Sequence, residues 1–278
     1  MKNTSINRYN VAVVDQSGKV GTVRYYQRGG RTYVRSAANR VDSNSNPRTD
    51  AQMKARLMYN SKVAMYRLFK GLLKDAFQFK PRYMTPYQAF MQANANIGCY
   101  MTKDEYRGGK IIPMPVKVAE GELKGIGVAY DSVNDKLITQ LSTGSASNIS
   151  TIADLSKAIV DNNDGFEYGD QLTVINLRFN YITPASREVS VIVLDESNTT
   201  PQSVFTASGG KLELNISETD NLISVIHSNS NRQMSNSTAV LFRGAASTYD
   251  AYVSDDAFQA ARDSYGKAKE SVLVPAKA

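Results

Sequence analysis

The chain has 278 residues, 42% apolar and 21% charged, an ordinary composition for a folded protein with core enough for one large domain or two. Its start, MKNTSINRYNVAVVDQSGK, carries no apolar stretch of signal-peptide length, and no segment approaches the roughly 18 apolar residues that span a bilayer, so a cytoplasmic product with no membrane partner is expected. Cys99 is the single cysteine and His227 the single histidine, which excludes an internal disulfide and a Cys/His zinc set and leaves Cys99 as a small buried hydrophobe. The net charge of +7 conceals a polarity. Residues 1–110 hold 20 Lys and Arg against 6 Asp and Glu, a net of +14, whereas residues 111–278 hold 13 against 20, a net of −7. The basic part is expected to meet something acidic, either nucleic acid or the acidic part of a neighbouring copy.

In chain order, KVGTVRYYQ and RTYVRSA read as two strands joined at Gly29-Gly30, a pair suited to a hairpin turn. Read as a continuous strand, the first puts Val20, Thr22, Arg24 and Tyr26 on one face and Gly21, Val23 and Tyr25 on the other. A two-stranded ribbon of this kind needs a partner surface. Thr49, Asp50 and Gln52 then signal a helix start, and apolar residues Met58, Met65, Leu68, Phe69, Leu72 and Ala76 predict a helix over 50–77 with Lys54, Lys62, Arg67, Lys70 and Lys74 mostly off the stripe. A second helix begins at Thr85-Pro86 with Gln88 three residues after the cap, and Gly98 is read as its stop. The segment RGGKIIPMPVKVAEGELKG is proline-punctuated and is read as the junction, near 107–120. From about 125 onward short runs of period two (QLTVINLRFNYI, EVSVIVLDE, KLELNIS, LISVIHSN, TAVLFRG) predict an antiparallel sandwich. STIADLSKAIVDNN reads as a short helix across one end of it, and SDDAFQAARDSYGKAKE as a final helix capped by Ser254 and followed by an arm. The fold class expected is α+β: an N-terminal β-hairpin plus long helices, then an Ig-like antiparallel β-sandwich. The predicted divisions are 1–110, 111–253 and 254–278.

No catalytic or cofactor motif accompanies these elements, so no enzyme, no metal and no cofactor is expected. The sequences G-x-S-x-G and G-x-x-x-x-G-K-[ST] are absent. His227, the one available imidazole base, reads as a strand-end residue with a local hydrogen bond. DNNDGFEYGD at 161–170 fails as a calcium loop, because placing Gly165 sixth puts Val160 first and Gln171 twelfth, where carboxylates are needed. The richest material is cationic and aromatic: Arg24, Arg28, Arg31, Arg35 and Arg40 with Tyr25, Tyr26 and Tyr33, which serves either phosphate contact and base stacking or a protein interface. Protein interface is the preferred reading of the two, with Arg48, Met58, Met65 and Phe69 as further interface candidates.

The succession SGKVGTVRYYQRGGRTYVRS, NPRTDAQMKARLMYNSKVAMYRLFKGLLKDAF and MTPYQAFMQANA resembles an uncharacterised family of Bacteroidota and of the crAss-like phages that infect them. The residues that carry the resemblance are Gly18, Val20 and Gly21, then Arg28 to Arg31, then Asn46, Pro47, Arg48, Thr49, Gln52 and Arg56, with MSNSTAVLFR at 234–243. The resemblance implies a structural protein of a virion, assembled in the host cytoplasm: a ring-forming subunit of the tail barrel or neck, in rings that are commonly twelvefold, docking to other tail, neck or portal proteins. A nucleic-acid-binding protein using the 18–40 hairpin, with non-specific DNA contact, is the alternative. A third reading makes the sandwich a glycan-binding module in which tyrosines replace the absent tryptophan.

Overall fold

The structure, a computed structural model of the chain, describes residues 18–20, 23–28, 31–36, 49–179, 186–216 and 220–265. It is an α+β protein whose sheets are antiparallel. Among the described residues no helix is long and apolar enough to cross a membrane. The chain divides into two compact units: residues 1–47 with Pro81–Tyr83, and Arg48–Lys80 with Met84–Ala278.

The first unit holds a three-stranded meander, β1 (Gly18–Val20), β2 (Val23–Arg28) and β3 (Arg31–Ser36). Strands β2 and β3 pair antiparallel, and what reads as a single first strand is itself two. Val20 pairs with Val23, so the chain reverses within two residues, as it does again between paired Arg28 and Arg31. That extra reversal moves Val20 off the Arg24 face and puts it with Val23.

The second unit opens with α1 (Asp50–Phe69), capped by Thr49 through its side chain and the Gln52 amide. The helix stops eight residues short of the predicted Phe77. Gly71 takes φ +96°, a left-handed conformation that a β-carbon disfavours and a helix interior excludes. The apolar run continues as buried loop, with Leu73, Ala76 and Phe77 all in the core. Helix α2 (Pro86–Ala93) has the full reciprocal cap of Thr85 and Gln88, and α3 (Lys103–Arg107) has the same device from Thr102 and Glu105.

After β4 (Lys117–Ala119) come β5 (Val128–Asp131), β6 (Lys136–Ser142), α4 (Ile152–Asn162), β7 (Gln171–Arg178), β8 (Ser186–Val193), β9 (Phe205–Ser208), β10 (Lys211–Leu214), β11 (Asn221–Ser228), β12 (Ser237–Thr238) and β13 (Val240–Leu241). Helices α5 (Arg243–Val253) and α6 (Asp255–Ser264) end the described chain. One four-stranded sheet runs β5-β6-β10-β9 and a second runs β13-β11-β7-β8. Leu137, Phe205 and Leu212 of the first share one apolar core with Leu172, Val174, Ile223 and Val225 of the second, and α4 adds Leu155 and Ile159. On its other face the second sheet gives Ile175, Leu177, Leu222 and Ile226 to a core with Met65, Phe69, Leu73 and Phe90. Every residue of β11 is therefore buried, the polar Asn221, Ser224, His227 and Ser228 among them.

This arrangement corrects the predicted divisions. The helices of 50–110 share a core with the sheets, so the unit boundary falls between Pro47 and Arg48. The presumed junction is threaded through that core: Ile112, Met114, Val116 and Val118 alternate at the two-residue spacing of an extended chain and are each at most 1% exposed. The C-terminal helix is not a separate segment either. Phe258 and Ala261 of α6 pack with Met53 and Leu57 of α1, Arg262 meets Asp50 at 3.4 Å, and Lys54 lies 4.7 Å over the Phe258 ring. The arm predicted beyond it lies outside the described residues.

Candidate functional site

The pairing register of the small sheet sorts its residues sharply. Arg24 faces Arg35, Tyr26 faces Tyr33, Arg28 faces Arg31, and Lys19 pairs with Arg24. Because side chains alternate along a strand, one face has Arg24, Tyr26, Arg31 and Tyr33, and the other has Val23, Tyr25, Gln27, Thr32 and Val34. Tyr25, grouped by sequence with the other aromatics, thus stands on the opposite face and is half-buried. Tyr26 and Tyr33 are each 41% exposed and stack with ring centroids 5.5 Å apart and planes 18° from parallel. Like charges at facing positions destabilise a sheet, each pair by on the order of 0.2–1 kcal/mol, and here they repeat on both sides of the tyrosine pair. An anionic surface laid on that face would reverse the sign of the effect.

The other candidate residues disperse. Met65 and Phe69 are completely buried in the helix-sheet core, and Met58 is half-buried against Gly98, so this helix stripe packs inward and supplies no outer contact surface. Arg40 and Arg48 lie outside the described residues. Lys62, read among the basic residues mostly off the apolar stripe, is buried, and its ammonium donates to the carbonyls of Asn94 at 3.1 Å and Ala95 at 2.8 Å, just past the C-terminus of α2. Burial lowers its pKa from the ordinary lysine value. Cys99 is buried as expected, and burial pushes its thiol up to about 12, far from the thiolate a nucleophile needs.

His227 is fully buried, and its partners are distant in sequence. Nε2 lies 2.8 Å from Asp170 Oδ2, Nδ1 lies 3.0 Å from the Lys124 carbonyl oxygen, and the ring stacks on Phe166 at 4.4 Å. Both ring nitrogens thus lie beside oxygen atoms of other segments. The group ties the loop before β7 and the segment before β5 to β11. A second polar cluster joins α3 to α5: Glu105 accepts from Lys110 Nζ at 2.8 Å and from the Tyr252 hydroxyl, and Lys110 also lies against Tyr252. Burial would raise the Glu105 carboxyl, but hydrogen bonds from Lys110, Tyr252 and Thr102 outweigh it and hold the group down to about 2. Neither cluster announces itself in sequence, since each draws its members from segments more than 50 residues apart.

Compared with known proteins, the chain matches no protein-family model, no curated protein and no solved structure.

Proposed function

We propose that the protein is a structural subunit of a bacteriophage particle, ring-forming in the tail barrel or neck, that acts by self-association and docking and not by catalysis. The observation that carries the docking part is the register of β2 and β3, which gathers basic positions on one sheet face at a cost that an acidic partner surface repays. The acidic balance of residues 111–278 provides such a surface on a neighbouring copy. A head-to-tail ring also needs a second, different patch. Strand β8, at the edge of its sheet, offers one with Val191 and Val193 about half exposed. The place in a virion rests on the family resemblance of the N-terminal segments.

Nucleic acid is the second reading, favoured by the exposed Tyr26 and Tyr33 within a basic face. Each ring already spends one side on the other, which leaves less room for intercalated bases and favours the protein partner.

The test is charge reversal, Arg24→Glu with Arg31→Glu. Ring-shaped or larger assemblies, seen by sedimentation and electron microscopy with or without partner tail proteins, should weaken at least tenfold, about 1.4 kcal/mol or more. The melting temperature should not fall, because each change sets a carboxylate opposite an arginine position. A chain that stays monomeric with every candidate partner and is missing from purified virions would sink the reading. Binding to DNA that falls steeply with salt would establish the second one instead.

A further inference from the structure

The core shared by the two four-stranded sheets turns polar at one end. Along β7 Leu172 and Val174 face that core, Asn176 follows and exposed Arg178 stands at the rim, and their partners on β11 are His227, Val225, Ile223 and Asn221. A cavity of about 190 Å³ opens there, walled by Val174 and Val204 and ringed by Asn176, Ser190, Ser203 and Asn215. At its base sits Asn221, 0% exposed, and neither its Oδ1 nor its Nδ2 meets a hydrogen-bond partner among the described residues. The Oδ1 of Asn176 is likewise buried and has no hydrogen-bond partner among the described residues.

Other buried or half-buried amides among the described residues are fully paired. Asn94, 1% exposed, donates to the carbonyls of Phe90 and Lys117 and accepts from the Lys117 amide. Asn163 donates to the carbonyls of Ser142 and Ile159 and accepts from the Ser142 amide. A fold that pairs its amides so fully has little reason to strand two in one cavity, because an unpaired buried polar group forfeits its hydration for nothing. Asn221 is also held rigidly: its backbone pairs with Arg178 in the ladder, and its carbonyl accepts from the Phe242 amide. Rigid placement of this kind characterises groups that bind.

We propose that this pocket binds a single neutral sugar ring. Asn221 presents one donor and one acceptor side by side, and Asn176 adds an acceptor. Vicinal hydroxyls, each able to donate and accept, complement that set, whereas a carboxylate or phosphate would find the acceptor oxygens repulsive. The volume is below the usual drug-sized range and fits one ring. The two valines supply an apolar wall for its C–H face. Arg178 and Glu188, of opposite charge, both line the pocket and leave no net preference for an ion. The site is independent of the basic sheet and of the assembly reading.

The experiment is a titration of the full-length, nitrogen-15-labelled protein with D-glucose, D-galactose, D-mannose and N-acetyl-D-glucosamine, followed by NMR. At least one sugar should shift the side-chain amide signals of Asn221 and Asn176 saturably, with a dissociation constant of about 1 mM or tighter. Asn221→Leu should weaken that binding at least about tenfold. Because Asn221 is a core residue, Ser203→Tyr, which plugs the pocket from its exposed side, is the companion variant, and it should abolish the shifts while leaving the rest of the spectrum in place. Absence of saturable shifts with all four sugars overturns the proposal. So does binding that survives Ser203→Tyr, or a crystal soaked in the sugars that shows only ordered water at Asn221.

Discussion

Glu105 shows how this chain handles a charge it half-buries. Its carboxylate takes the Lys110 ammonium, the Tyr252 hydroxyl and the Thr102 backbone amide, so one side chain both caps α3 and fastens it to α5. The group sits at about 2 in the fold against an ordinary value of 4.5, so the unfolded chain binds the proton more readily. Its contribution to stability is therefore complete above about pH 4.5 and drains away as the pH falls toward 2. Glu105→Gln should lower the urea midpoint at neutral pH and flatten its decline across that window. An unchanged decline would mean that the acid sensitivity resides elsewhere. Lys62 is the converse case: its burial favours the neutral amine, so stability tied to that group rises as the pH climbs toward the ordinary lysine range.

Gly98 carries a different lesson, about contacts between segments. Sequence reading makes it the stop of α2, but that helix ends at Ala93 with Asn94 as its cap, and Gly98 lies against α1. A β-carbon there would stand 2.7 Å from the Met58 Cβ and 2.8 Å from its Cα. Neither atom can swing aside. Gly98→Ala should cost about 1–3 kcal/mol, read as a lowered denaturant midpoint, and truncating the Met58 side chain beyond its Cβ should not rescue it. Full stability of the alanine variant would show that the loop and helix do not approach so closely. In the basic sheet the decisive detail is likewise a two-residue event. The reversal between Val20 and Val23 settles which residues share a face, and a reading that runs straight through it assigns Val20 to the wrong one.

The three apolar cores of the described chain begin at Met53 and draw nothing from the basic sheet. Helix α1 enters two of them, through Met53 and Leu57 at one end and Met65 and Phe69 at the other. It is thus the strut that connects α6 to the sheet of β7 and β11. A chain lacking residues 1–47 should therefore fold, with its cooperative thermal transition and near-ultraviolet spectrum retained, and should lose the docking proposed for the basic sheet. A truncated chain that fails to fold would show that the first unit is structural and would remove the ground for treating it as a docking element.

Much of this architecture is legible in the amino-acid order because its causes are local. Thr49, Thr85 and Ser254 each accept from a backbone amide three residues on, and a helix start needs nothing more distant. The period-two runs become antiparallel strands, and the +14 and −7 halves are a matter of counting. The interface candidates were legible in part: alternation along the first strand already separates Arg24 and Tyr26 from Tyr25, but the pairing of β2 with β3 was required to bring Arg31 and Tyr33 onto the Arg24 face. Burial was legible least. Met65, Phe69 and the alternating residues from Ile112 to Val118 are core because other segments fold over them, and Asn221 is an unpaired amide only because two sheets close around it. Propensity and capping act within a few residues, whereas burial and hydrogen-bond satisfaction depend on which distant segments meet, and that is fixed by the packing of the whole chain.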